Sequence, residues 1–333
     1  MFYLVTNTYI IEFMKTITFF VPVFNEEKNI FRCLQSIRKQ NYPQNLVEIF
    51  IADAGCTDKT IQIAKKFKIK YYFNKKKLSE YAYQDAIKLS KGELFVFFAA
   101  DNELVNIDWI TKMVEPFSLL NADAAFTHIA IPKNSPLVNQ YYSELHVEPL
   151  SWFVYRDSCN PKNFSNYYEV IYNKKNLIEY KFSKKNFPLI ATAQGFVVKK
   201  KKFNFIDSHD GDDILPIIKM IQKRKKIIYV NNTGIYHHHI CGYLDYFQKY
   251  GERARRALSK ENYGFFKRKK IYSNKRKLFL YLFIPYSLSF LFPLIDSVLL
   301  YLKNKKKYML LHSLMTPLLG LSIIKEYLRK FFN

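Results

Sequence analysis

The chain has 333 residues, long enough for one large domain and an appendage. Hydrophobic residues make up 49% and charged residues 24%, which excludes a disordered polyelectrolyte. Basic residues number 52 against 28 acidic, and the net charge of +24 points either to a polyanionic partner or to the Lys, Asn and Ile bias of an AT-rich gene.

Four widely spaced cysteines (Cys33, Cys56, Cys159, Cys241) form no Cys-x-x-Cys pair, which argues for a reducing compartment and against a disulfide framework or zinc knuckle. "MKTITFFVPVFNEE" from Met14 reads as a self-sufficient start, so residues 1–13 are expected to be a dispensable extension. "ITFFVPV" (17–23) predicts a strand, and 26–40 a helix with Ile30, Cys33, Leu34 and Ile37 on one face. "VEIFIADAG" (47–55) predicts the next strand and "TDKTIQIAKKF" (57–67) the next helix, capped by Thr57 or Asp58. The strand "IKYYF" (69–73), a helix near 80–90 and the strand "LFVFFAA" (94–100) continue the alternation. Such repetition implies parallel strands with right-handed crossovers, hence an α/β, doubly wound, mostly parallel sheet with helices on both faces.

After "DAAFTHIAI" (123–131) the pattern breaks, and 132–190 is rich in Tyr, Asn and Pro, as expected of a functional insertion. The alternation resumes with "QGFVVKK" (194–200), a helix after "DGDD" (210–213) and "KIIYVNN" (226–232), followed by a basic, aromatic-bearing helix at 243–260. "LFLYLFIPYSLSFLFPLIDSVLLYL" (278–302) carries one charge, Asp296. As one helix it would extend roughly 37 Å, enough for a hydrocarbon core of about 30 Å. Pro285 and Pro293 interrupt it, so a kinked, re-entrant or interface-lying hairpin stands beside a two-pass anchor. Residues 308–324 are marginal for a span. Basic clusters flank both segments, as an anionic inner leaflet would attract, and no nucleic-acid motif appears.

"FFVPVFNEEKNI", "VEIFIADAGCTDKT", "SKGELFVFFAADNEL", "AQGFVVKKKKF", "GDDILPIIKMI" and "IIYVNNTGIYHH" occur in one order over about residues 15–240. On these blocks the chain resembles the family 2 glycosyltransferases with a GT-A fold. The resemblance implies a GT-A domain over 14–240, with 132–190 on the acceptor side. A basic linker-helix region (241–277) and membrane-associated helices (278–333) would follow.

It also implies a division of labour at the ends of the strands. Pro22, Val23, Asn25 and Glu26, with Asp53 and Gly55, would face the base and ribose of a nucleotide-sugar donor; Asp101 and Asn102 would complete that site. A carboxylate at the carboxyl end of a buried strand stands where open α/β sheets bind ligands. In the family this strand ends in Asp-x-Asp, whose last acid helps to hold Mn²⁺ or Mg²⁺ against the donor diphosphate; here the triplet is Ala99-Ala100-Asp101. Gln84 and Asp85 stand where the family often has an Arg–Asn pair.

An inverting transfer needs a carboxylate base, for which Asp213 is the first candidate and Asp212 the second. Of the consecutive His237, His238 and His239, strand alternation forbids all three from reaching one ion; the resemblance implies that His237 stands at a family position able to approach the metal or diphosphate. Arg253 and Arg255 in the basic helix, beside Arg256, suit diphosphate or lipid phosphate. The missing Trp after Arg253 argues against a processive synthase. The expected protein is a membrane-associated inverting glycosyltransferase, with its catalytic domain on the cytoplasmic side. It would act on a hydroxyl of a lipid-linked or cell-envelope glycan. A catalytically inactive scaffold of the same fold is the alternative, on the strength of Ala99.

Overall fold

A computed structural model of the chain describes residues 14–75, 77, 79–202, 212–259, 268–269 and 271–332. The expected extension, residues 1–13, and part of the loop before Asp212 lie outside these. In chain order the elements begin with β1 (Ile17–Val23), α1 (Ile30–Arg38), β2 (Val47–Asp53), α2 (Thr60–Lys66), β3 (Lys70–Phe73), α3 (Ser79–Leu89), β4 (Leu94–Phe98), β5 (Asn102–Leu104), α4 (Trp109–Leu119) and β6 (Ala124–Ala130). Then come α5 (Leu137–Leu145), α6 (Pro149–Tyr155), β7 (Val170–Lys174), β8 (Leu177–Tyr180), β9 (Gln194–Lys199), α7 (Leu215–Gln222) and β10 (Ile227–His237). The chain continues through α8 (Tyr243–Ser259), α9 (Asn274–Leu288), α10 (Leu291–Asn304) and α11 (His312–Phe332).

The chain divides into two compact units. One holds the chain to Ile129 and Tyr167–His237; the other holds Ala130–Asn166 and His238–Asn333.

The first unit is built on the sheet, in the order β3-β2-β1-β4-β9-β6-β10-β8-β7, with β5 paired to β10. Alternation along β1 explains its two faces. Ile17, Phe19 and Val21 pack with Ile30, Leu34 and Ile37 of α1. Phe20, between them, meets Tyr83 and Phe95 at ring-centroid separations of 5.5 and 5.8 Å. Burying one such aromatic side chain contributes about 1.5–3 kcal/mol. Gly92 is required where the chain enters β4, because a Cβ there would stand 2.6 Å from both the Thr18 nitrogen and its hydroxyl.

The expected α/β sheet flanked by helices is present, and it is mixed. β1, β2, β3 and β4 are parallel. Beyond β4, β9 pairs antiparallel with β4 and β6, and β10 pairs antiparallel with β5 and β8. The reason is connectivity. β1 to β4 follow one another through α1, α2 and α3, and such helical crossovers allow a parallel return. β7 and β8 instead close as a hairpin whose two linking residues, Lys175 and Asn176, have φ of 52° and 67°, the turn that matches strand twist.

In the second unit α8 runs beside α11, α9 packs with α6 and α11, and α10 packs with α11. Lys307–Phe332 is an apolar helix consistent with membrane association. The apolar stretch 278–302 is not one helix: α9 and α10 meet at 98°. Phe290 turns the corner with φ of 57°. Asp296, the one charge of that stretch, accepts hydrogen bonds from Arg156 (2.8 Å) and the Tyr286 hydroxyl (2.7 Å). His312 continues this network to Tyr286 (3.1 Å) and Tyr141 (2.8 Å).

Candidate active site

Two turns at the carboxyl ends of β1 and β2 are stitched to each other. Pro22 and Val23 pair in register with Ala52 and Asp53. Beyond them Asn25 takes φ of 54°, a conformation that asparagine tolerates better than most residues. Its side-chain oxygen accepts from the Thr57 backbone N–H at 2.9 Å. The Glu26 N–H donates to the Thr60 hydroxyl at 2.7 Å.

One Asp53 oxygen accepts the N–H groups of Gly55 (3.0 Å) and Cys56 (2.8 Å), an Asx-type turn that Gly55 permits with φ of 95°. Asp53 thus shapes the turn with that oxygen. Burial, and then the nearby Asp53 carboxylate, push the Cys56 thiol up to about 11, although a hydrogen bond from the Asn25 N–H opposes this.

Asp101 stands three residues past β4. Its turn is strapped to the segment before β9: Ala99 N–H and the Asn102 side-chain amide both donate to the Ala193 carbonyl, at 3.0 and 2.7 Å. Gly195, at φ 77°, lets that segment pass Trp109, since a Cβ there would lie 3.2 Å from the indole. β5 and β10 pair so that His237 faces Asn102. This register brings His237 Nε2 within 3.3 Å of Asp101 Oδ2.

Asp101 and His237 each offer a ligand atom to a divalent cation. His238 and His239 lie past the end of β10, in the second unit. A carboxylate with an imidazole is a mixed hard and borderline donor set, which suits Mn²⁺ better than Mg²⁺. Burial raises the neighbouring Cys33 thiol well above its usual range, and the charges of Asp101 and Glu26 raise it further.

The two base candidates separate. Asp212 is buried, and one of its oxygens accepts from the Ile214 and Leu215 N–H groups (2.7 and 3.1 Å), a cap at the start of α7. Asp213 is partly exposed and faces the Tyr83 hydroxyl at 3.4 Å. Its carbonyl accepts from Thr192, so the 192–193 segment touches both the Asp213 and the Asp101 turns.

Tyr83 and Ala193 escaped the sequence reading because contacts this far apart leave no local signal. In the second unit, Arg253 rests over the Tyr250 ring at 5.0 Å, with a guanidinium nitrogen 3.2 Å from His239 Nε2. Arg255 forks onto Glu326 at 2.9 and 3.2 Å. Asp85 is an exposed residue of α3, the helix that also carries Gln84.

Residues 18–182 match the family model described as glycosyl transferase family 2. A 94-residue stretch is 38% identical to a dolichyl N-acetyl-alpha-D-glucosaminyl phosphate 3-beta-D-2,3-diacetamido-2,3-dideoxy-beta-D-glucuronosyltransferase of Methanococcus voltae, covering 26% of this chain and 29% of the relative. Another, of 119 residues, is 28% identical to the glycosyltransferase AglE of Haloferax volcanii, covering 32% and 39%. The chain thus spans well under half the length of these two curated relatives. Its fold resembles that of the mannosyltransferase PcManGT from Pyrobaculum calidifontis, solved with GDP-Man and Mn²⁺. The TM-score is 0.54 at 14% identity, over 94% of this chain and 87% of that one. Through residues 18–182, which carry the strand-end turns and Asp101, the chain belongs to glycosyl transferase family 2, on a GT-A-like fold.

Proposed function

We propose that the protein is a nucleotide-sugar-dependent glycosyltransferase acting at a membrane, with inversion at the transferred sugar carbon. The observation that carries this reading is the Asp101–His237 pair, just past β4 and at the end of β10, whose carboxylate lies within the family-matched residues 18–182. A divalent cation there, Mn²⁺ by preference, would offset the charge that develops on the departing nucleoside diphosphate. Asp101 and His237 would hold it.

The turns at Asn25–Glu26 and Asp53–Gly55 would receive the base and ribose, with Pro22 and Val23 beneath and Asn102 keeping the Asp101 turn in place. Asp213 would take the proton of the acceptor hydroxyl as its oxygen attacks the sugar carbon opposite the diphosphate. The capping bonds of Asp212 favour Asp213 for this role. Arg253, beside His239, remains the candidate for a phosphate of donor or lipid; Arg255 would have to leave Glu326 to do the same.

The acceptor is proposed to be a hydroxyl of a lipid-linked or cell-envelope glycan. The Methanococcus relative is named for transfer onto a dolichyl-linked sugar phosphate, and the apolar C-terminal helix supports work at a bilayer. Lysine-rich flanks favour a cytoplasmic face.

The test is nucleoside diphosphate release by the purified full chain, with Mn²⁺, over a panel of nucleotide sugars. Turnover that survives Asp101→Asn undiminished would refute the site. Ala99, in place of the family's first acid, supports a second reading as an inactive binder. Calorimetric binding of nucleoside diphosphate without turnover for every donor would favour it.

A further inference from the structure

The second unit's C-terminal helices turn large apolar residues outward. On α10 the residues turned inward are Pro293, Ser297 and Leu300, while Leu291, Phe292, Leu294 and Leu299 are all more than half exposed. On α11 the buried face mixes polar His312, Thr316, Ser322 and Glu326 and the small Gly320 with apolar Met315 and Leu319, and the outer positions include Leu314, Leu321 and Leu328, each nearly half exposed. At the crossing of α9 and α11 a Cβ on Gly320 would stand 2.1 Å from the Ser287 hydroxyl, so the two helices approach at backbone distance. Large apolar residues on the outer face, with polar and small residues admitted among the apolar ones within, is the arrangement of helices whose surrounding solvent is hydrocarbon.

Two further facts set the depth. α9 and α10 have 15 and 14 residues, each too short for a bilayer that needs about 20, and they turn by 98° at Phe290. α11 is long enough, yet it is clasped along its length by α8. Ser322 donates to the Phe247 carbonyl, Arg255 forks onto Glu326, and Lys330 donates to the Leu258 carbonyl. α8 carries Glu252, Arg255 and Arg256, each more than half exposed. Were α11 to cross the bilayer, these charges would be drawn into hydrocarbon.

We propose that α9, α10 and α11 form a one-leaflet anchor that enters an anionic phospholipid bilayer from one side. Its Phe290–Phe292 elbow reaches the acyl chains and no helix crosses. Lys275, Lys303, Lys305, Lys306 and Lys307, all exposed, lie at the outer ends of the two elbow helices, where anionic headgroups would meet them. This rests on the membrane association proposed above and specifies its geometry.

Two measurements on the full chain test it. Asn274→Cys, Lys305→Cys and Phe332→Cys, each in a Cys241→Ser background, are labelled in sealed membrane vesicles with a membrane-impermeant maleimide before and after detergent. Labelling of all three from the same side is expected. Lys305→Cys opposite Asn274→Cys would mean that the elbow pair spans, and Phe332→Cys opposite Lys305→Cys that α11 spans; either overturns the anchor while leaving membrane association intact. Purified protein is also floated with vesicles of phosphatidylglycerol and phosphatidylethanolamine, 1:3. Phe290→Asp with Phe292→Asp is expected to weaken binding at least about tenfold with an unchanged circular dichroism spectrum. Unchanged binding overturns the elbow's role, and no binding by the unsubstituted chain overturns the membrane reading itself.

Discussion

His237 Nε2 stands 3.3 Å from Asp101 Oδ2 because β10 and β5 pair antiparallel in the one register that sets His237 against Asn102. A slip of one residue would turn His237 to the opposite face. The family's missing first acid at Ala99 therefore leaves a carboxylate supported by an imidazole from a distant strand.

Asp101→Asn is expected to lower Mn²⁺-dependent turnover roughly 100-fold or more, since even outer partners of metal ligands are worth about 10–100-fold. His237→Gln should weaken Mn²⁺ binding about tenfold or more. Electron paramagnetic resonance titration of free Mn²⁺ reads the second effect without any need for activity. Equal Mn²⁺ affinity in both variants would remove the metal from this site.

Asp212 and Asp213 should divide stability from chemistry. Asp212→Ala removes the cap of α7 and is expected to cost about 1 kcal/mol, or roughly 2–4 °C in Tm, which Asp212→Asn recovers. Asp213→Asn should leave Tm in place and suppress transfer. Matched Tm and activity losses in both variants would contradict the division.

Gly92→Ala is expected to destabilise the first unit by about 1–3 kcal/mol, because its methyl group would collide with the Thr18 backbone and hydroxyl. Gly55→Ala, which meets the Phe73 ring at an ordinary 3.5 Å, should cost only the strain of its positive φ, about 1 kcal/mol. Urea denaturation of both variants checks the order.

Cys56 should resist alkylation at neutral pH. With its thiol held at about 11, the thiolate fraction and the iodoacetamide rate are expected to rise about tenfold per pH unit as pH climbs toward that value. Asp53→Asn removes one of the groups that hold the thiol up, so the rate at pH 8 should increase. Mass spectrometry of the Cys56 peptide reads it. A rate already at its plateau by pH 8 would contradict the burial of this turn.

Arg156→Ala leaves Asp296 without its guanidinium in the corner of α10. A loss of about 1 kcal/mol is expected, modest because Arg156 is 41% exposed. A double-mutant cycle with Asp296→Asn should show coupling in thermal melts carried out in detergent.

Much of this protein was legible in its residues, because local rules write themselves locally. Alternation along "ITFFVPV" and "LFVFF" and the 3.6-residue stripe from Ile30 to Ile37 are sufficient for the parallel half of the sheet, and the end of β4 marks Asp101. A match to a family position singles out His237, while strand alternation says only that the three histidines cannot all reach one ion.

What only the tertiary structure decided depends on pairings between distant segments, whose hydrogen bonds any sequence could offer. The antiparallel half of the sheet is one case, and the β5–β10 register that brings His237 to Asp101 is another. So are the commitment of Asp212 to a cap and of Arg255 to Glu326, and the answer that Arg156 gives to the lone Asp296. The 98° break at Phe290 belongs with them: the same apolar run could have continued as one helix, and packing of α9 and α10 against their own unit turned it into an elbow.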